Sequence, residues 1–137
     1  MKQEYLLKKV IFIDDDPATN HIHKKIAESI NLAETVEFYE SCEAIWNEYG
    51  EDNAEQVPDI VFVDIGLPKI NGVELADKLQ QLEQFKAHDT KFCFLTASKD
   101  IRDVLKADDY EFDHYYWKPL NKAKMGQVLR ETLSISI

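Results

Sequence analysis

The sequence predicts an α/β protein built on a five-stranded, doubly wound parallel sheet with strand order 2-1-3-4-5. Three observations predict it. Val10-Ile11-Phe12-Ile13, Ile60-Val61-Phe62-Val63 and Phe92-Cys93-Phe94-Leu95 are unbroken apolar runs, as expected of strands covered on both faces. The stretches between them carry apolar residues at helical spacing, so strands and helices alternate and parallel neighbours are joined by right-handed crossovers. Thr35-Val36-Glu37-Phe38-Tyr39 alternates instead, which suits a strand with one wetter side at a sheet edge.

The elements follow in order. The first strand runs into Asp14-Asp15-Asp16, and Pro17 suits the first turn of a helix with Asp16 as its N-cap. Ile22, Ile26 and Ile30 recur at helical spacing, so the first helix should bury that stripe and end near Asn31. Ser41 can cap a short second helix through Ile45, Trp46 and Tyr49, closed by Gly50. The polar stretch from Glu51 to Pro58 reads as a loop.

The third strand ends in Asp64, and Gly66, Pro68 and Asn71-Gly72 turn the chain into the next helix. Val73, Ala76, Leu79, Leu82 and Phe85 mark that third helix. The fourth strand runs into Thr96-Ala97-Ser98, with Ser98 placed to cap a fourth helix over Ile101, Val104 and Leu105. His114-Tyr115-Tyr116-Trp117 is an aromatic fifth strand ending at Lys118-Pro119, and Leu120, Ala123, Val128 and Leu129 build the last helix. The strand order is the flavodoxin-like one, with the second and fifth strands at the edges.

Composition narrows the class. At 137 residues, 45% hydrophobic and 31% charged, the chain reads as one soluble domain spanning residues 1–137, with a core over about 8–133 and no output domain after the last helix. No apolar run approaches a membrane span and none resembles a signal-peptide core, so a cytoplasmic protein with no membrane partner is expected. Cys42 and Cys93 lack metal-ligand spacing and read as reduced, structural thiols. A formal charge of -10 argues against direct nucleic-acid binding, which is dominated by cationic contacts to phosphates.

The residues with chemistry fall where strands end. Asp14 and Asp15 follow the first strand, Asp64 the third, Thr96 the fourth and Lys118 the fifth, and in this fold those ends share one crevice. Three carboxylates there raise one another's pKa unless a cation balances them. Hard oxygen ligands suit Mg²⁺, which keeps several waters and completes its shell with phosphate. Lys118 offers a point charge and Thr96 a hydroxyl donor to a phosphoryl group.

This combination resembles the receiver domain of two-component response regulators. The shared motifs are the acidic pair Asp14-Asp15, Asp64 with Pro68 and Gly72, Thr96-Ala97, and Lys118-Pro119. The resemblance implies that Asp64 is the phosphoacceptor, taking its group from a phosphohistidine on a sensor histidine kinase or a histidine phosphotransfer protein. It also implies that Asp15 and Asp64 bind Mg²⁺ directly with the backbone carbonyl of Gly66, and Asp14 through water. Thr96 and Tyr115 would form the switch pair, altering the surface made by the fourth helix, fifth strand and fifth helix. The Lys118-Pro119 bond would be cis. The chain would then be a phosphoacceptor signalling switch rather than an enzyme. Whether phosphorylation drives homodimer formation is left open.

Two departures from the family pattern stand out. Gly66 occupies a position that often carries a longer side chain near the phosphoryl group, and Lys106 to Asp113 replaces a smaller, Gly-containing segment before the fifth strand. Two rival functions are weighed alongside. Asp14-x-Asp16 mimics the start of a haloacid-dehalogenase-type phosphohydrolase motif, but Pro17 and Ala18 break it and little room remains for a cap domain. A degenerate receiver serving only as a binding scaffold is disfavoured by the intact Asp and Lys set. His21 and His23 read as surface residues on different faces of a helix, and His88 and His114 have no partner in the sequence.

Overall fold

In the computed structural model, strand β1 (Leu7–Ile13) lies inside the sheet, with Lys9 through Ile13 all buried. The structure describes residues 4–49, 57–64, 72–96, 115–117 and 120–134, with the side chains of 72, 73, 96, 115 and 117 outside that description. Strand β1 pairs in parallel with β2 (Ala33–Tyr39) on one side and with β3 (Ile60–Asp64) on the other, so that Ile11 faces both Glu37 and Val61. Beyond β3 come β4 (Lys91–Thr96) and the short β5 (Tyr115–Trp117), giving the order β2-β1-β3-β4-β5.

Successive side chains of a strand point to opposite faces, so each apolar run feeds two cores. Ile11, Ile13, Val61, Val63, Phe92 and Phe94 pack on one face, against α2 (Cys42–Tyr49), α3 (Gly72–Gln80) and α4 (Glu83–His88). Val10, Phe12, Ile60, Phe62, Cys93 and Leu95 pack on the other, against α1 (Pro17–Ser29) and the C-terminal α5 (Lys122–Leu133). The expected covering of both faces of a parallel sheet is present. The helix expected over Ile101, Val104 and Leu105, with its Ser98 cap, lies outside the described residues.

Helix α1 starts where expected but presents a different face. Asp16 Oδ1 accepts the Ala18 amide at 3.1 Å and Oδ2 accepts the Thr19 hydroxyl at 2.7 Å, with Pro17 opening the helix. The buried positions are Thr19, His23 and Ala27, while Ile22 is 41% exposed and Ile26 and Ile30 only flank the core. The period is that of the isoleucine stripe, but the phase is turned by one residue, about 100°. The cap sets that phase, because it fixes how the helix leaves β1. His23, expected at the surface, is fully buried, whereas His21 is exposed.

The single third helix expected through Phe85 is two helices, α3 and α4, broken at Gln81-Leu82, where Leu82 has extended backbone (φ -69, ψ 137). The reason lies in the spacing. Ala76, Leu79, Leu82 and Phe85 recur every three residues, and each such step falls about 60° short of a full turn of a 3.6-residue helix. A continuous helix would rotate them off a common face; the break lets Ala76, Leu79 and Phe85 all be buried in one core, with Leu82 packed against it. Asp89 closes α4 in the left-handed conformation at φ 56. In α5, Asn121 caps through Lys124 N at 2.8 Å. Met125, Val128 and Leu129 are buried there, and Ala123 is exposed rather than part of the core face. No helix among the described residues is long and apolar enough to cross a membrane.

Candidate functional site

Parallel strands end on a common rim, and at that rim Asp14 is the first residue beyond β1. Its amide donates to the Tyr39 carbonyl of β2 at 3.0 Å, prolonging the strand pairing by one residue. Its Oδ1 then accepts the Asp16 amide at 2.9 Å, a local side-chain turn that bends the chain toward α1. Asn20, in the first turns of α1, donates from Nδ2 to the Asp14 carbonyl at 2.8 Å. The acid pair is thus held by the strand on one side and the helix on the other. Asp14 is buried at 2% exposure, while Asp15 faces solvent.

Asp64 is the last residue of β3, in register with Leu95, and is 5% exposed. One carboxylate oxygen from each of Asp14, Asp15 and Asp64 lies within 4.8 Å of the others. Like charges this close, two of them withdrawn from water, favour a cation between them. Asp16 stands apart from this set, engaged as the helix cap expected for it.

Thr96 ends β4 opposite Trp117, and Tyr115 opens β5 opposite Phe94. Their backbones therefore sit at the adjoining strand pair, and their side chains lie outside the described residues, as do Gly66, Lys118 and the Lys118-Pro119 bond.

The surroundings are tuned by burial. Cys42 opens α2 as expected; burial, with Glu43, Asp64 and Glu74 adding to it, pushes its thiol up to about 12, so it stays protonated beside the acids. Burial likewise raises Cys93 to about 12, against a contact with the Thr132 hydroxyl at 3.6 Å. Both thiols are free and buried. Behind the acid pair, the Tyr39 and Tyr49 hydroxyls donate to Glu37 Oε1 at 3.0 and 2.8 Å, and Lys9 Nζ lies 3.5 Å from the same oxygen. Burial and Glu37 raise both phenols well above their ordinary range, so they remain donors. This network steadies Tyr39, whose carbonyl holds Asp14.

Sequence reasoning missed Asn20 and His23. The available signal was a set of polar residues, Thr19, Asn20 and His23, directly after the capped acidic turn, where an ordinary amphipathic helix would put apolar ones.

A family model described as the response regulator receiver domain matches residues 10–130. The chain belongs to this receiver family. The receiver is 30% identical over 128 residues to the DNA-binding dual master transcriptional regulator RpaA of Synechocystis, covering 93% of this chain and 49% of that protein. It is 26% identical to the transcriptional regulatory protein KdpE of Staphylococcus aureus, covering 89% of this chain and 48% of the other. The chain spans about half the length of the curated relatives it matches. Among solved structures, a two-component response regulator from Cytophaga hutchinsonii superposes with a TM-score of 0.77 at 30% identity, over 94% of this chain and 98% of that one. A CheY-like receiver from Methanospirillum hungatei shares the fold with a TM-score of 0.71 at 23% identity, over 91% and 92%. The architecture is therefore the flavodoxin-like α/β receiver fold with a parallel sheet. Receiver domains of response regulators work with histidine kinases, in signalling rather than metabolic catalysis.

Proposed function

We propose that this receiver is a phosphoacceptor switch in which Asp64 takes a phosphoryl group from a phosphohistidine on a sensor histidine kinase or histidine phosphotransfer protein. The observation that carries the reading is the meeting of Asp14, Asp15 and Asp64 within 4.8 Å at one rim of the sheet. In the step itself, an Asp64 carboxylate oxygen bonds to phosphorus in line with the departing imidazole nitrogen. The P–N bond breaks and the imidazole leaves with its electron pair, to be protonated by solvent. Lys118 and the Thr96 hydroxyl offer positive charge and a hydrogen bond to the phosphoryl oxygens.

The donor set fits Mg²⁺: all are hard oxygens, one acid is exposed and two are buried. Asp15 and Asp64, with the Gly66 carbonyl, would hold the ion directly and Asp14 through water; when bound, it supplies charge neutralisation at phosphorus. The rest of the reading follows the same family logic. Thr96 and Tyr115 relay phosphorylation to the partner-binding face that receivers form from their fourth helix, fifth strand and fifth helix, in a cytoplasmic protein. Its output is protein contact, without direct nucleic-acid binding.

The test is incubation with acetyl phosphate and Mg²⁺, followed by intact mass and peptide mapping. A single phosphoryl adduct on Asp64, absent in Asp64→Asn and absent with EDTA, is expected. Steady phosphate release that depends on Asp14 and survives Asp64→Asn would instead identify a haloacid-dehalogenase-type hydrolase. No adduct and no release would leave a binding scaffold.

A further inference from the structure

The phase of α1 leaves a cavity beside it. His23 is 0% exposed, its ring stacks on Phe12 of β1 at 5.1 Å and 25°, and its Nε2 accepts the backbone N–H of Leu120 at 3.3 Å. Phe12 stacks in turn on Phe62 of β3 at 4.7 Å and on Phe38 of β2 at 5.2 Å, so the sheet carries an aromatic row whose outermost ring, on the edge strand, is Phe38. One helical turn past His23 the inward residue is Ala27, and β2 opens with Ala33. Two methyl groups cover little of an edge strand, and Val36 and Phe38 stay only partly buried. Between the C-terminal half of α1 and β2 lies a cavity of about 370 Å³, with Ala27, Ala33, Val36 and Phe38 in its wall. Glu28, Glu34 and Lys24 line it as well; all three are exposed, and none forms an ion pair among the described residues.

We propose that this cavity binds a small aromatic amine, its ring against Phe38 and its ammonium taken by Glu28 and Glu34. The volume lies at the lower end of the range of small-molecule sites, about 300–1,000 Å³, and leaves room for one ring and a short arm. An apolar wall with a few charged groups at its margin is the usual make-up of such sites. Phe38 selects for a ring: it ends the row at the sheet edge, with no strand beyond it, and a planar ligand would extend the stack by one member. The margin selects for a cation, since two carboxylates stand there against one ammonium. The chain's formal charge of -10 adds to this by drawing cations and repelling anions. None of these residues belongs to the acid cluster of Asp14, Asp15 and Asp64, so the site stands independently of the phosphoacceptor reading.

The experiment titrates the full chain with phenethylamine, 3-phenylpropionate and hexylamine, followed by ¹H–¹³C and ¹H–¹⁵N NMR. Phenethylamine is expected to shift the resonances of Ala27, Val36 and Phe38 saturably. The acid, with the same ring and the opposite charge, should give no saturable shift, and hexylamine, with the charge and no ring, should bind about fivefold more weakly. Glu28→Gln combined with Glu34→Gln should weaken phenethylamine about fivefold, as the loss of an exposed ion pair does. Ala27→Leu, which fills the cavity, should abolish the shifts; if that variant does not fold, the paired glutamine substitutions on the surface carry the test. Absence of a saturable shift with phenethylamine, equal binding of the acid or of hexylamine, or unchanged affinity in the double glutamine variant overturns the proposal.

Discussion

His88 Nε2 lies 2.7 Å from Asp59 Oδ1, joining the end of α4 to the approach to β3 at the end of the strands opposite the three carboxylates. The same Asp59 carboxylate accepts the amides of Lys8 at 2.9 Å and Lys9 at 3.3 Å through Oδ2. One side chain therefore ties the beginnings of β1 and β3 to α4.

That arrangement makes a pH prediction. Burial alone would raise the Asp59 pKa, but the His88 hydrogen bond and the two backbone amides outweigh it and hold it below its ordinary 3.8. A carboxylate depressed in the folded state contributes stability above its unfolded pKa and loses it as pH falls through the lower folded value. Asp59→Asn should cost about 1 kcal/mol at pH 7, and the gap from wild type should close as pH drops below 3.8. Urea titrations at stepped pH check this; a gap that stays constant into acid contradicts it.

Asp64→Asn should act in opposite directions with and without metal. Two unit charges no more than 4.8 Å apart, as in the acid cluster, repel by about 1 kcal/mol or more even in a water-like medium, so neutralising Asp64 should raise the melting temperature in EDTA. With Mg²⁺ in excess, the wild type should gain stability by linkage and the variant should gain little. Paired thermal melts decide it.

Asn20→Ala removes the donor to the Asp14 carbonyl, held at 2.8 Å. The acid pair loses its helix-side restraint and nothing that contacts the ion, so Mg²⁺ affinity should fall about fivefold, equivalent to one ordinary hydrogen bond. Isothermal titration measures it directly, and an unchanged affinity would mean that the strand side alone holds the pair.

Asp16→Ala removes the cap that accepts both the Ala18 amide and the Thr19 hydroxyl. A loss of about 1 kcal/mol in folding stability is expected, read by chemical denaturation. Because the cap also phases α1, exchange of the Leu120 amide should speed up in the same variant, as the helix carrying His23 loosens.

Much of this molecule could be read from order along the chain. The apolar runs at Val10–Ile13, Ile60–Val63 and Phe92–Leu95, and the alternation from Thr35 to Tyr39, state how many faces of each strand are covered; parallel pairing and the edge position of β2 follow from that. The acids at the ends of β1 and β3 were legible for the same reason, since parallel strands share one exit rim. Local chemistry also announced the caps at Asp16 and Ser41, where Ser41 Oγ accepts the Ala44 amide at 3.1 Å.

Tertiary structure decided what depends on angles and on remote neighbours. The isoleucine stripe of α1 has the period of a buried face, but period leaves phase free, and the Asp16 cap with the Phe12 row beneath turned Thr19, His23 and Ala27 inward instead. The three-residue spacing through Phe85 needed a break that only the shape of the core could impose. His23 and His88 found their partners at Leu120 and Asp59, far away in sequence, because a hydrogen bond requires proximity in space and residue spacing along the chain carries no record of it.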